Sequence, residues 1–355
     1  MRDINYKNIY AELEKYLEKE KGKIFVVLKD DTFSITYNYY IKDGPYKRLY
    51  REMVFKPSSD NHLIYVYGGS EIISNPPFLK EKFYHFPEIL ESLLNSHLNK
   101  NFKVYNFGME GFDVFDTKEI MKATANLKKP DLIIYFDVGI VDFDNAYLTC
   151  IKKNFYFMWN FVLSKPRLPK LLHILSDWFL RAYIEPNLIN LAQELTLIDI
   201  PEKPFKKFNE LILSYYKKNL YDIIQFAQSK NIPLVIMVPM GNLEEKPYGI
   251  YNITNKFYEQ GIKEKNYDKR IDYLIKARDS EILTFNLGFK SCIYKFLTNL
   301  KEQNVYIFDL RQRLLDMHFE FNYKNFYDYG HMRPDVHKIV GQYLYDFLKK
   351  EKLLE

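Results

Sequence analysis

The sequence predicts an α/β protein, a three-layer α/β/α sandwich around a mostly parallel, five-stranded, flavodoxin-like sheet. The first observation is a change of pattern at Asn61, after which short, nearly continuous apolar runs alternate with helical stretches. Strands that are apolar on both faces are typical of parallel sheets covered on both sides. The second observation is that polar positions recur through each helical stretch, which leaves one apolar stripe to pack on the sheet.

Five apolar runs predict the strands of this sheet. They are Leu63–Tyr67, Phe102–Asn106, Asp131–Phe136, Ile232–Val238 and Val305–Phe308. Five stretches predict the principal helices, namely Phe86–Leu98, Thr117–Leu127, Phe208–Lys230, Ser291–Glu302 and Val336–Lys350. In such folds the chemistry gathers at the carboxyl ends of the strands.

Residues 1–60 have a different pattern and predict a small β-rich N-terminal addition to a main unit at residues 61–355. A charged helix is expected at Tyr6–Lys21. Three aromatic and β-branched runs, separated by turn residues, then predict strands at Lys23–Leu28, Thr32–Ile41 and Tyr46–Phe55.

A long stretch at about residues 143–205 separates the third and fourth predicted strands and predicts a helical insertion. Half-buried helices packed on the main unit are the favoured interpretation. A lid over the cleft and a peripheral membrane contact remain open alternatives. A second polar stretch, Tyr248–Arg278, predicts a helical excursion beside the site.

Composition excludes several classes of function. The 355 residues include 51 basic and 46 acidic ones, and the net charge of +5 is too weak to indicate a nucleic-acid partner. No apolar run approaches the roughly 18 residues of a membrane span. The charged N-terminus lacks the pattern of a secretory signal, which predicts a cytoplasmic protein, or an exported or membrane-peripheral one if a leader was removed. Neither a metal-type spacing nor a nucleotide motif appears, so no metal or cofactor is expected.

Residues suited to nucleophilic catalysis occur where the predicted strands end. The first strand leads into Gly68-Gly69-Ser70, a sharp turn that projects a hydroxyl above the sheet. Gly108 follows the second strand, where its backbone N–H can face a ligand. Before the last helix, Asp328 precedes His331 by three residues, so the carboxylate can hold one ring nitrogen and leave the other as a base.

In this order, these pieces resemble the SGNH hydrolases, also called GDSL-type esterases, over about residues 61–350. The resemblance implies that Ser70 is the nucleophile and an oxyanion donor, that Gly108 gives a second N–H, and that His331 is the general base. It implies that Asp328 orients the imidazole. A Lys-Pro before the first strand, and Gly-Gly-Ser in place of Gly-Asp-Ser, resemble a branch that modifies bacterial surface carbohydrates.

One oxyanion donor of that family has no counterpart here. The family's Gly-x-Asn-Asp segment after the third strand reads Gly139-Ile140-Val141-Asp142, and shifting the match by one residue puts Ile140 at the Asn position. Losing such a donor typically lowers turnover by about 10²–10³. Asn145 is a possible substitute donor, although a loop asparagine more commonly bonds its own backbone.

Two classes of function follow from the sequence. The first is a serine esterase, or an acyltransferase with the same triad, acting on O-acyl and especially O-acetyl groups of a carbohydrate or another small ester. The second is a catalytically inactive SGNH-fold protein that uses the cleft for binding, which the missing asparagine favours. The presence of Ser70, Asp328 and His331 together favours the enzyme. The natural acceptor and the oligomeric state are not predicted.

Overall fold

The computed structural model describes residues 23–29, 32–38, 48–54, 61–72, 84–109, 112, 114–136, 202–247, 252–280 and 290–354. The predicted helix at Tyr6–Lys21, the segment Gly139–Asp142, Asn145 and most of the predicted insertion at 143–205 lie outside these ranges. The strands are β1 (Lys23–Lys29), β2 (Thr32–Asn38), β3 (Arg48–Val54), β4 (Asn61–Tyr67), β5 (Asn101–Asn106), β6 (Leu132–Tyr135), β7 (Leu234–Met237) and β8 (Val305–Phe308).

The last five strands form one sheet in the order β5-β4-β6-β7-β8, and all four adjacent pairs are parallel. Numbered along the chain, this is the order 2-1-3-4-5 of flavodoxin-like sheets. The predicted fold class is therefore confirmed. Parallel pairing brings the carboxyl ends of β4, β6 and β7 to the same edge, where the candidate site lies.

The helices are α1 (Phe86–His97), α2 (Val114–Leu127), α3 (Glu202–Ser229), α4 (Asn252–Lys263), α5 (Tyr267–Asp279), α6 (Ser291–Thr298), α7 (Leu310–Asp316) and α8 (Pro334–Lys350). The second polar stretch is confirmed as helical, as the pair α4 and α5. Helix α7 has no counterpart among the predicted helices, although Asp309 is an N-cap residue whose Oδ1 accepts the Gln312 N–H at 2.9 Å. Within the described ranges, no helix has the length and apolar character that a bilayer span needs.

Alternating residues of the sheet enter two separate cores, one on each face. Tyr65, Tyr67 and Tyr135 belong to the core beneath α2, α3 and α6, whereas Val66 and Ile134 belong to the core beneath α1, α5, α7 and α8. Because side chains alternate along a strand, a continuous apolar run can supply both cores. This arrangement produces the three layers.

The N-terminal strands form a separate antiparallel sheet in the order β1-β2-β3. Phe33 and Ile35 of β2 are fully buried and join the same core as Tyr65 and Phe107 of the main unit. The ring of Phe33 meets that of Phe107 edge to face, with centroids 5.6 Å apart. The three predicted strands are present, and the division of the chain at residue 60 stays a prediction.

A buried histidine joins α8 to the start of α1. The imidazole of His337 is fully buried, and its Nδ1 accepts the backbone N–H of Phe86 at 3.3 Å. This N–H belongs to the first turn of α1, where no intrahelical acceptor exists. Burial lowers the pKa of His337 well below its ordinary value, and the neighbouring imidazoles of His85 and His331 lower it further. The native structure therefore requires a neutral ring.

We predict that the free energy of unfolding decreases as the pH falls below about 6.5, in part because of His337. The contribution of His337 to the free energy of unfolding is complete above the pKa of the unfolded histidine. It decreases as the pH falls toward the lower pKa of the native histidine, because the unfolded state binds the proton more readily than the native state. When urea unfolding is measured at several pH values, the free energy of unfolding should change less with pH for His337→Gln than for the wild type. Identical dependence in both proteins would contradict this assignment.

A second prediction concerns the turn after β4, which passes very close to the end of β6. A Cβ atom on Gly68 would lie 1.9 Å from the carbonyl oxygen of Phe136, so backbone would have to move. We expect Gly68→Ala to lower the free energy of unfolding by roughly 2–3 kcal/mol, as overpacking does. Gly330→Ala is the matched control, because a Cβ there meets nothing within 4 Å. Equal urea midpoints for the two variants would contradict the prediction.

Candidate active site

Ser70 lies at the carboxyl end of β4, at the start of a short 3-10 helix that spans Ser70–Ile72. The preceding glycines allow the turn to pass against β6, and the serine side chain remains partly exposed. Glu71 is buried, and its carboxylate accepts the backbone N–H of Gly69 at 2.9 Å. The turn therefore presents the Ser70 hydroxyl above the edge of the sheet, and the Glu71 carboxylate stabilises the turn through its hydrogen bond with Gly69.

The candidate base and its carboxylate lie in a short hairpin that we call the C-terminal turn (residues 326–332). Phe326 and Met332 form an antiparallel bridge and are both buried, which anchors the turn to the core. Asp328 Oδ1 accepts the backbone N–H groups of Gly330 at 3.0 Å and His331 at 2.9 Å. Its other oxygen, Oδ2, lies 2.6 Å from His331 Nδ1. The carboxylate thus orients both the backbone and the imidazole.

A hydrogen bond joins the two parts of the site. His331 Nε2 lies 2.9 Å from Ser70 Oγ, although 261 positions separate the residues in the chain. With Nδ1–H donated to Asp328, Nε2 carries the lone pair that accepts the Ser70 hydroxyl proton. A hydroxyl, an imidazole and a carboxylate connected in this order form an activated nucleophile.

The carboxylate partner stays ionised in neutral solution. Burial raises the pKa of Asp328, but the hydrogen bond and charge of His331, together with the N–H groups of Gly330 and His331, lower it more. The resulting pKa is below the ordinary value for an aspartate. A negative charge is therefore available to stabilise a protonated His331.

The loop after β7 supports the C-terminal turn. The backbone N–H of Asn242, a fully buried residue, donates to the carbonyl of Tyr329 at 2.8 Å. The buried guanidinium of Arg278 in α5 donates to the carbonyls of Leu243, at 3.3 Å, and Glu245. A basic side chain on the helical excursion thus holds the loop that holds the turn. Neither Asn242 nor Arg278 was among the predicted site residues, although a polar residue in the loop after a predicted strand was a usable signal for Asn242.

Gly108 lies beside the turn that contains Ser70, but its N–H has an internal acceptor. A Cβ atom on Gly108 would lie 2.2 Å from the Ile72 side chain, which shows how closely the two segments approach. The Gly108 N–H donates to Asn106 Oδ1 at 3.0 Å, and the Asn106 amide donates to the carbonyl of Ile72 at 3.2 Å. The oxyanion role of Gly108 stays a prediction, and Asn106 is a further polar residue that the sequence analysis did not single out.

Two other histidines near the C-terminal turn in the sequence, His318 and His337, occupy different environments. His337 is buried against Phe86, and His318 packs against the ring of Tyr267, with ring centroids 4.6 Å apart. The imidazole that meets the Ser70 hydroxyl belongs to His331. Within the described ranges, no group of three or more His, Cys, Asp or Glu side chains is arranged to bind a metal ion.

No protein-family model and no curated protein matches the sequence. Similar solved structures include an acetyl xylan esterase that is 12% identical, covering 81% of this chain and 99% of that chain, with a TM-score of 0.41. An acetylxylan esterase from Geobacillus stearothermophilus is 14% identical over 82% of this chain and 94% of its own, with a TM-score of 0.38. A Desulfitobacterium hafniense protein assigned to the lipolytic G-D-S-L family is 12% identical, covering 81% and 99%, with a TM-score of 0.40. This likeness is remote, and the residue roles rest on the geometry of the site itself.

Proposed function

We propose that this chain is a serine esterase of the SGNH hydrolase type that cleaves O-acyl groups, with O-acetyl groups on a carbohydrate as the favoured substrate. One observation carries the proposal: the continuous contact from Ser70 Oγ through His331, at 2.9 Å, to Asp328, at 2.6 Å. Each member has the neighbour that nucleophilic catalysis requires, and the lowered pKa of Asp328 favours its ionised carboxylate.

The first step is attack on the ester carbonyl carbon. His331 Nε2 removes the hydroxyl proton of Ser70 as Oγ bonds to the carbon, and the carbonyl electron pair moves to its oxygen. The imidazolium that forms is stabilised by the ionised Asp328. The intermediate collapses when the bond to the alkoxy oxygen breaks, and His331 returns the proton to that leaving oxygen.

The second step resolves the acyl-enzyme. Water attacks the acyl carbon while His331 accepts its proton, and Ser70 leaves with that proton as the free acid forms. A sugar hydroxyl in place of water would give an acyltransferase with the same residues. The two activities differ only in the acceptor that reaches the acyl group.

Stabilisation of the oxyanion is the step for which the chain departs from its family pattern. The N–H groups of Ser70 and Gly108 are the proposed donors. An oxyanion is a stronger acceptor than the amide oxygen of Asn106, so it can compete for the Gly108 N–H as charge develops. Because that exchange costs an existing hydrogen bond, slow turnover on simple esters is expected.

A binding protein without activity is the second candidate function. The observation in its favour is that Asn106 already engages the Gly108 N–H, in addition to the absent asparagine after β6. Such a protein would retain the cleft but would not form an acyl-enzyme. Covalent labelling therefore separates the two candidates.

We predict that a fluorophosphonate probe labels the wild-type protein and that Ser70→Ala abolishes the labelling. The hydroxyl oxygen is the atom that bonds to phosphorus, and His331 increases its nucleophilicity. Labelling is read by intact-protein mass spectrometry. Ser229→Ala is the matched control, because Ser229 is exposed at the end of α3, and this variant should label like the wild type. Continued labelling of Ser70→Ala would reject the nucleophile.

A further prediction tests whether Asp328 and His331 act as one unit. We expect Asp328→Asn and His331→Gln each to lower kcat for an aryl acetate by about 10⁴-fold, because either change disrupts proton transfer from Ser70. The double variant should lose little more, since each single change already removes the shared function. If the increases in activation free energy of the two single variants simply add in the double variant, a joint role of Asp328 and His331 would be contradicted.

A further inference from the structure

Arg333 directly follows the C-terminal turn, on the arm that carries the imidazole of His331. The backbone N–H of Tyr327 donates to His331 at 2.8 Å, and that of Arg333 donates to Asn325 at 2.9 Å, on either side of the Phe326–Met332 bridge. Tyr327 therefore pairs with His331 across the hairpin. Side chains alternate along each arm, so those of Tyr327, His331 and Arg333 lie on the face opposite the buried Phe326 and Met332.

The guanidinium of Arg333 is held in place before any ligand arrives. Its Nε donates to the carbonyl of Tyr323 at 3.0 Å, and its central carbon lies 4.5 Å from the centre of the Tyr327 ring. This diagonal contact with the residue opposite His331 agrees with the shared face. The side chain is partly exposed, and among the described residues its two terminal nitrogens have no hydrogen-bond partner. Those two nitrogens are the donors that Arg333 has left for a ligand.

Arg333 occupies a position where another residue would serve the fold better. It is the N-cap of α8, and it makes no side-chain capping hydrogen bond. Ser, Thr, Asp or Asn at that position would typically add about 1 kcal/mol of stability. A residue that departs from a local capping preference is commonly a functional one.

In the part of the chain that the structure describes, no carboxylate forms an ion pair with Arg333. Glu245 accepts the hydroxyl of Tyr323, and Asp335 pairs with Lys338 at 2.9 Å. Asp328 is engaged by His331. The positive charge of Arg333 is therefore available to a ligand.

We propose that Arg333 forms an anion subsite, which binds a carboxylate or phosphate group carried by the acylated sugar. A fixed guanidinium fork matches the two oxygens of such a group in a bidentate contact. Residues 331 and 333 lie two positions apart on one extended arm, about 6.6 Å between their Cα atoms. The anionic group would thus lie on the same sugar unit as the ester or on the next one. This inference rests on the proposed esterase function and adds an acidic sugar as the substrate class.

The test compares three acetylated sugars that differ in charge: an acetylated methyl galacturonoside, an acetylated glucose 6-phosphate and an acetylated methyl glucoside. We expect Arg333→Gln to lower the ratio of kcat/KM for the preferred anionic substrate to that for the neutral one by about tenfold, mainly through KM. Arg333→Lys should lose less, since it keeps the charge without the fork. If the kcat/KM ratio falls only for the galacturonoside, the subsite binds a carboxylate. If it falls only for the phosphate substrate, the subsite binds a phosphate.

Arg313→Gln is the matched control, because Arg313 in α7 stacks on Tyr343 at 4.2 Å in the same way but at another surface. For this variant, the ratios of kcat/KM for the anionic substrates to that for the neutral substrate should equal those of the wild type. If Arg333→Gln leaves both anionic ratios unchanged, or lowers them no more than Arg313→Gln does, the subsite is refuted.

A failure of the proposed function would be distinguishable from a failure of the subsite. If the wild type neither hydrolyses the three esters nor reacts with the fluorophosphonate, the esterase assignment fails. Binding of galacturonate and of inorganic phosphate is then measured by calorimetry on Ser70→Ala and on Ser70→Ala combined with Arg333→Gln. Weaker binding of either ligand to the double variant supports the subsite, and equal or undetectable binding in both proteins overturns it.

Discussion

The candidate site depends on one hydrogen bond, between Ser70 Oγ and His331 Nε2, that closes a separation of 261 residues. No local interaction can form it. Parallel pairing of β4 with β6, and of β6 with β7, brings the strand ends to one edge, and the loop after β7 holds the C-terminal turn there through the Asn242 N–H. The contact therefore exists only when the whole sheet is assembled, so the geometry of the candidate site depends on global folding.

Support for the imidazole is distributed over several elements. Asp328 holds the ring directly, the backbone of Asn242 holds the turn, and Arg278 holds the loop that contains Asn242. Asn242 and Arg278 are buried, so their hydrogen bonds form where water does not compete. Helix α5, which also packs on one core of the sheet, thus supports the loop that holds the turn of the proposed base.

For the proposed esterase reaction, the geometry of the site supports proton transfer better than it supports stabilisation of the oxyanion. Proton transfer is well provided for by a hydroxyl, an imidazole and an ionised carboxylate in contact. Stabilisation of the oxyanion is less favourable, because the Gly108 N–H is engaged by Asn106 and the segment after β6 lacks the expected asparagine. Binding energy from elsewhere on the substrate, such as an anionic group on Arg333, is one physical means by which such a site could still select and orient its ester.

The sequence by itself determined the fold class, the positions of the five central strands and the identity of Ser70, Asp328 and His331 as candidates. Apolar periodicity and turn residues are local signals, so a strand such as Val305–Phe308 can be located from its own residues. Only the tertiary structure decided that Asn106 takes the Gly108 N–H, that His337 caps α1, and that Arg333 stacks on Tyr327. Those contacts depend on the direction of individual side chains and on segments distant in the chain. No pattern along the sequence encodes such distances, because they arise only when packing brings the elements together.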